Sequence, residues 1–296
     1  MVSRLYEHLS EGARHIMTAS LQERAAFIAA PRWIGTDAAR EAHEKMQALL
    51  NRPKLIRTKG VALVGPFFNG KTLIAERFLL QHLKTASKQR VWVVQTREGA
   101  GLVNFLSGIV KDMRAPDPPR STVAQLTEQV DVLFRRLEPR LLIFDEFHNA
   151  LRGRSKDVES IFAFLRRLGR LYDISPVLIG EVSVYDHVNA TTEMSSRIKT
   201  VAVPRWQYDE SYLSLLDTLE AAMPLANPSD LSSERLARHI FAMAEGLIGE
   251  TVDIIAEAAI AAINTGKERI TIKTLDSLKH VPASQRRRSP LRAALI

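Results

Sequence analysis

The hydrophobic positions of this chain follow two patterns. Between residues 60 and 204, short unbroken apolar runs alternate with longer segments of mixed apolar and polar character. The runs are Val61-Ala62-Leu63-Val64, Val91-Trp92-Val93-Val94-Gln95, Leu141-Leu142-Ile143-Phe144, Val177-Leu178-Ile179-Gly180 and the stretch 199–203, which ends at Pro204. Runs of this length, rich in β-branched residues, predict strands buried on both faces. The intervening segments at 73–80, 102–113, 121–137 and 156–172 predict helices. Ser121 is the expected cap of the third, after a sharp break at Ala115-Pro116-Asp117-Pro118-Pro119. Strands alternating with helices predict an α/β fold, a five-stranded parallel sheet covered by helices.

On either side of this region no comparable apolar run occurs. Residues 10–29 read as one helix; Pro31-Arg32-Trp33-Ile34-Gly35 interrupts it, and Thr36 ahead of Asp37 marks the cap of a second helix over 37–50. After Tyr208, helices are predicted over 210–222, 232–245, 250–264 and 274–280, with the main loop at Ala222-Met223-Pro224-Leu225-Ala226-Asn227-Pro228. The expected division is a helical extension over 1–50, an α/β core over 51–205, a small all-helical lid over 206–282 and a basic disordered tail over 283–296. No internal repeat is visible.

Composition narrows the class only modestly. A 46% hydrophobic and 25% charged chain of 296 residues is ordinary for a soluble globular protein and long enough to bury a sizeable core. No apolar run reaches the length of a membrane span, and Met1-Val2-Ser3-Arg4-Leu5-Tyr6-Glu7-His8 carries no apolar signal core, so a cytoplasmic location without membrane contact is expected. The lack of cysteine excludes disulfides and thiolate metal sites. Forty-one Lys+Arg against 33 Asp+Glu leave a formal +8, which suits a polyanion such as nucleic acid and equally a merely basic protein.

The candidate chemistry sits where the first strand ends. Gly65-Pro66-Phe67-Phe68-Asn69-Gly70-Lys71-Thr72 matches G-x-x-x-x-G-K-[ST], between an apolar strand and a helix opening near Lys71 and Leu73. Gly65 and Gly70 let the backbone curl with its N–H groups turned toward phosphate oxygens, and the helix start adds its positive dipole end. In this pattern Lys71 reaches the β- and γ-phosphates of ATP and the Thr72 hydroxyl ligates Mg²⁺. The second half is Asp145-Glu146, two carboxylates delivered at the carboxyl end of the third strand, where ligands of parallel sheets gather. Asp145 is the candidate for holding Mg²⁺ and Glu146 for polarising the attacking water. His148 follows, either relaying the state of Glu146 or serving as a hydrogen-bonded structural histidine. Arg197 precedes the fifth strand, where an arginine can reach a neighbouring subunit's γ-phosphate; by position alone a solvated surface arginine is the plainer reading.

Taken together, the phosphate loop, the strand-end carboxylates, Arg197 and the helical lid resemble an AAA+ ATPase. Pro31-Arg32-Trp33-Ile34, then Gly-Pro-x-x-Asn-Gly-Lys-Thr, then Phe144-Asp145-Glu146-Phe147-His148-Asn149 resemble the TniB family of transposition ATPases, related to TnsC-type target-selection proteins, over roughly residues 25–280. The resemblance implies an ATP-dependent regulator that assembles as a homo-oligomeric ring or filament on duplex DNA and recruits or stimulates a DDE transposase, often with a TniQ-type adaptor. It makes Arg197 the favoured arginine finger, acting in trans. It also makes Arg97, Lys111 and Arg114 candidate DNA contacts, since loops after the second strand face the central DNA in such rings; outer helix surfaces are the alternative for all three. Two positions depart from the usual pattern. Glu181 follows Gly180 where a polar γ-phosphate sensor is common, so either Ser183 serves or the sensor is lost, and Gly249 stands where many such proteins carry an arginine. Both departures imply weak hydrolysis. The rival readings are another AAA+ DNA remodeller such as a helicase loader, a signalling or secretion ATPase without a DNA role, and a module that holds ATP without hydrolysing it.

Overall fold

The computed structural model describes residues 6–54, 57–99, 101–116 and 120–288. The start of the chain, Asp117-Pro118-Pro119 of the expected break and the end of the basic tail from Ser289-Pro290 onward lie outside these. In chain order the helices and strands are α1 (Glu11–Ile16), α2 (Leu21–Ala29), α3 (Asp37–Asn51), β1 (Gly60–Val64), α4 (Lys71–Thr85), β2 (Val91–Gln95), α5 (Leu102–Asp112), α6 (Val123–Leu137) and β3 (Leu141–Asp145). They continue as α7 (Ser155–Arg167), β4 (Ser175–Gly180), α8 (Val182–Asn189), α9 (Thr192–Arg197), β5 (Ile198–Ala202), α10 (Glu210–Ala222), α11 (Glu234–Ala244), α12 (Ile248–Asn264) and α13 (Ile272–Ser277). No described helix is long and apolar enough to cross a membrane.

The strands form one sheet in the order β2-β3-β4-β1-β5, with every neighbour parallel. The alternation of side chains in a strand explains why each run is apolar throughout. Val61, Leu63, Leu141, Ile143, Val177 and Ile179 pack on one face with Ala39, Met46, Ile74 and Phe78 of α3 and α4. Ala62, Val64, Leu142, Phe144 and Leu178 pack on the other with α5, α6 and α7. Phe105, Phe144, Phe147 and Phe162 form a cluster of tilted and edge-on ring pairs there, each buried ring contributing about 1.5–3 kcal/mol. Because all strands are parallel and in register, Val64, Gln95, Asp145, Gly180 and Ala202 end on the same edge of the sheet. The five following segments are thereby gathered at one place.

The chain divides into two compact units, residues 33–204 and residues 1–32 together with 205–296. This corrects the expected split at residue 50. The helix α3 belongs with the sheet, against which Ala39, Ala42 and Met46 are buried, and Trp33 stacks on His43 at 5.4 Å. The helices α1 and α2 belong with α10–α13. The buried Arg24 donates through Nη1 to Glu268 at 2.9 Å, and the Ser10 N–H to the Ala221 carbonyl at 2.7 Å. Three further boundaries differ from expectation. Ser20 and Glu23 form a capping box that breaks the helix over 10–29 in two. Thr122 and Gln125 form a second capping box, so α6 is capped one residue after the expected Ser121. The tail is ordered as far as it is described: 283–288 is a 3₁₀ turn in which Arg286 pairs with Glu250, and the Ser284 N–H donates to Glu245 at 3.0 Å.

Candidate active site

The loop after β1 is held by its own backbone and by one buried amide. The Gly65 N–H donates to the Gly180 carbonyl at 3.2 Å, extending the β1–β4 ladder by one step. A Cβ on Gly65 would lie 2.2 Å from the Val203 carbonyl oxygen, so no other residue fits that approach. The buried Asn69 donates its amide to the carbonyls of Val203 at 2.9 Å and Pro204 at 2.8 Å, tying the loop to the chain leaving β5. Asn69 is therefore committed to shaping the loop, and only its backbone is directed by the loop's curl. Gly70 has φ of 82°, a conformation that disfavours side chains, and caps α4 with no side-chain hydrogen bond. The N–H groups that open this helix, from Lys71, Thr72 and Leu73, make its N-terminus an anion site.

Lys71 is buried, and its Nζ donates to the carbonyls of Gly65 at 2.9 Å and Pro66 at 2.6 Å. Burial pushes its ammonium below the ordinary lysine value, while Glu146, Glu181 and Asp145, in that order, pull it back up. The lysine thus sits among three carboxylates at the strand ends. The rings of Phe67 and Phe68 stand 68% and 40% exposed at the loop tip, and Phe68 has φ of 57°. These two phenyl groups occupy unrestricted positions of the motif, and the pattern assigns them nothing; two consecutive aromatics there were the only signal.

Asp145 closes the site. Its Oδ2 accepts from the Thr72 hydroxyl at 2.8 Å and its Oδ1 from the Glu146 N–H at 2.9 Å. Glu146 sits at φ 51°, ψ 36°, a left-handed conformation uncommon for a residue with a side chain and concentrated at functional sites. The turn is pinned by the Asn149 N–H donating to the Glu146 carbonyl at 2.9 Å, and by the Thr96 N–H donating to the Asp145 carbonyl at 2.9 Å. His148 Nε2 lies 3.4 Å from Glu146 Oε2. The donor set fits Mg²⁺. Thr72 and Asp145 offer hard oxygens beside an anion site, and no cluster of three or more His, Cys, Asp or Glu that could hold a metal alone occurs among the described residues. Magnesium takes one or two carboxylates and completes its shell from phosphates and water.

Arg197 lies elsewhere. Arg197 ends α9, and Ile198 is level with Gly60, the first residue of β1. It is therefore at the amino edge of the sheet, on the order of 16 Å along the strands from the phosphate loop. Its Nη2 donates to Glu193 at 2.9 Å. Arg97 follows β2 and donates to Ser107 at 3.3 Å. Lys111 is four residues beyond Ser107 on the same face of α5, and Arg114 is exposed just past its end with φ of 60°. Arg97 lies two residues beyond Gln95, which is level with Asp145 in the sheet. Glu181 opens α8 directly after β4, and Ser183 is half-buried in its first turn.

The strand order, the loop between β1 and α4 and the carboxylates ending β3 define a P-loop fold of the AAA+ class. Solved structures share it. Cdc6p from Pyrobaculum aerophilum matches 83% of this chain over 67% of its own length at TM-score 0.61 and 16% identity. The Orc1 protein of Aeropyrum pernix, solved in complex with DNA, matches 86% over 68% at 0.62 and 18%. A Walker-type ATPase of Pyrococcus abyssi matches 86% over 75% at 0.56 and 15%. At such identities the likeness concerns the fold. Within the class, the chain belongs to the TniB family: the family model of the bacterial TniB protein matches residues 24–208. No curated protein matches the chain in sequence.

Proposed function

We propose that the chain is an ATP-hydrolysing regulator of transposition whose ATP-bound form assembles on duplex DNA, marks a target and recruits or stimulates a DDE transposase, directly or with a TniQ-type adaptor. The observation that carries the hydrolytic half is the Thr72–Asp145 hydrogen bond, which joins two motifs 73 residues apart in one site beside Lys71 and Glu146. Membership of the TniB family and the +8 charge support the DNA and transposition half. The Aeropyrum pernix Orc1 protein, similar in fold, was solved in complex with DNA, which agrees with this reading.

In the proposed reaction Lys71 leaves the carbonyls of Gly65 and Pro66 for the β- and γ-phosphates, and the N–H groups of Gly70 to Leu73 receive phosphate oxygens. Thr72 and Asp145 would hold Mg²⁺, which neutralises charge developing on those oxygens. Glu146 orients a water in line with the γ-phosphorus and accepts its proton. Glu181 places a further anion near the transferred group, which favours slow turnover and a long-lived ATP form. Hydrolysis then returns the assembly to its DNA-free state.

The test is duplex-DNA binding without nucleotide, with ADP and with a slowly hydrolysed ATP analogue, using wild type and Lys71→Ala, with negative-stain images of each sample. Assemblies on DNA formed only with the analogue, and lost in Lys71→Ala, are the expected result. Equal binding in every state, with no assemblies, would sink the DNA half of the reading.

A further inference from the structure

The turn after β3 carries a second titratable side chain that the reaction above leaves unused. His148 is buried, with 8% of its side chain exposed, and sits in the 3₁₀ turn Phe147–Arg152. Its backbone is fixed from both sides. Phe147 is fully buried in the ring cluster, and the Asn149 amide donates to the Thr96 carbonyl at 3.2 Å. One edge of the imidazole faces Glu146, with Nε2 3.4 Å from Oε2. The other edge faces β4, where Nδ1 is buried with no hydrogen-bond partner among the described residues. A Cβ on Gly180 would stand 3.4 Å from that Nδ1, 3.2 Å from the His148 nitrogen and 2.6 Å from Val184 Cγ2. Glycine at the end of β4 is what leaves room for the ring.

This environment selects one form of the ring. A proton on Nδ1 would be a buried donor without an acceptor, which is unfavourable. A proton on Nε2 points at a carboxylate. The Nε2 edge is therefore the one that donates to Glu146, and it holds one carboxylate oxygen while leaving the other for water. We propose that His148 is the positioning residue for Glu146: it fixes the carboxylate rotamer at the site beside Lys71, and Gly180 keeps the place for its ring at the end of β4. The 3.4 Å separation is longer than an aligned charge-assisted bond, and catalytic hydrogen bonds that are long in a free enzyme commonly tighten in the reacting complex. A base oriented by a third group is the arrangement that gives a weak carboxylate base its direction. The inference rests on the hydrolytic reading of Glu146.

The test compares the full chain as wild type, Glu146→Gln, His148→Phe, His148→Gln and E146Q/H148F. The readouts are single-turnover ATP hydrolysis and affinity for a non-hydrolysable ATP analogue. His148→Phe keeps the bulk and removes the donor; His148→Gln sets an amide N–H close to where Nε2 stood. The expected result is a loss of about tenfold or more in rate for His148→Phe, below the loss in Glu146→Gln, with most of it recovered in His148→Gln. Analogue affinity stays within about twofold in both His148 variants. In the Glu146→Gln background His148→Phe adds nothing, because the ring acts through that carboxylate. Nitrogen NMR of labelled histidine, assigned by difference, is expected to show a proton on Nε2 of His148 and none on Nδ1. Wild-type rate in His148→Phe, equal losses in the two His148 variants, an additive double variant, or a proton on Nδ1 would each overturn the proposal. A wild type no faster than Glu146→Gln would bring down the hydrolytic reading itself, and this inference with it.

Discussion

At the residue scale the site is an arrangement of charges in which one anion is out of keeping. Lys71 faces Glu146, Glu181 and Asp145. Asp145 accepts from the Thr72 hydroxyl and the Glu146 N–H, and Glu146 is the base the proposed reaction requires. Glu181 has neither role. Its carboxylate helps to keep Lys71 charged, but it also repels an incoming triphosphate, which carries more charge than one ammonium returns. Repulsion wins on that count. Glu181→Gln is therefore expected to bind ATP about tenfold more tightly than wild type, equivalent to about 1.4 kcal/mol, in a calorimetric titration. Weaker binding would show that the carboxylate's support of Lys71 outweighs its repulsion. Much of this cluster is local pattern and was legible as such: Lys71 and Thr72 follow Gly70, and Asp145-Glu146 follow four apolar residues. Which oxygen of Asp145 meets which donor was not legible, because it depends on β3, β4 and β1 lying side by side in register.

At the element scale, the same distinction separates what local chemistry specifies from what only packing decides. Thr36 marked the start of α3, where its side chain does accept from the Ala39 N–H at 3.0 Å. The two capping boxes, Ser20 with Glu23 and Thr122 with Gln125, were present in the sequence as S/T-x-x-E/Q and outrank the helical periodicity around them. No such pattern announces that α2 packs with α10–α13. The partners Arg24 and Glu268 are 244 residues apart, and neither lies in a motif. Arg24 has 7% and Glu268 18% of its side chain exposed, and Arg24 also donates to the Pro224 carbonyl. Removing one member of such a pair leaves the other buried and uncompensated. Arg24→Met is expected to destabilise the chain by about 3–5 kcal/mol in urea denaturation, and Arg24→Met with Glu268→Leu to recover a large part of that. If the single variant lost under about 1 kcal/mol, the pair would be equivalent to a surface ion pair, and the docking of α2 would rest on apolar contact alone.

At the scale of the whole molecule, the position of Arg197 decides what a single chain can do. The parallel register sets it beside Gly60, at the edge of the sheet opposite the phosphate loop, so its guanidinium is out of reach of a γ-phosphate bound by its own Lys71. Within the chain it meets Glu193 at 2.9 Å, a partner it can exchange for a stronger anion. If Arg197 serves catalysis at all, it serves a site on another copy, which requires the head-to-tail contact of rings and filaments. Two variants separate this from a structural role. Arg197→Ala keeps Glu146 and lacks the finger; Glu146→Gln keeps the finger and lacks the base. Each alone is expected to hydrolyse ATP on DNA about a thousandfold more slowly than wild type. Mixed in equal amounts, a site with an intact Glu146 meets a neighbour with an intact Arg197 about one time in four, so the mixture recovers roughly a quarter of the wild-type rate, given a head-to-tail contact. A mixture as inactive as its components, with both variants still assembling on DNA, would assign Arg197 to the fold of α9 and β5. The rise of rate with protein concentration in the mixture is then the sign that the active site is completed between copies, and its absence the sign that one chain holds all of it.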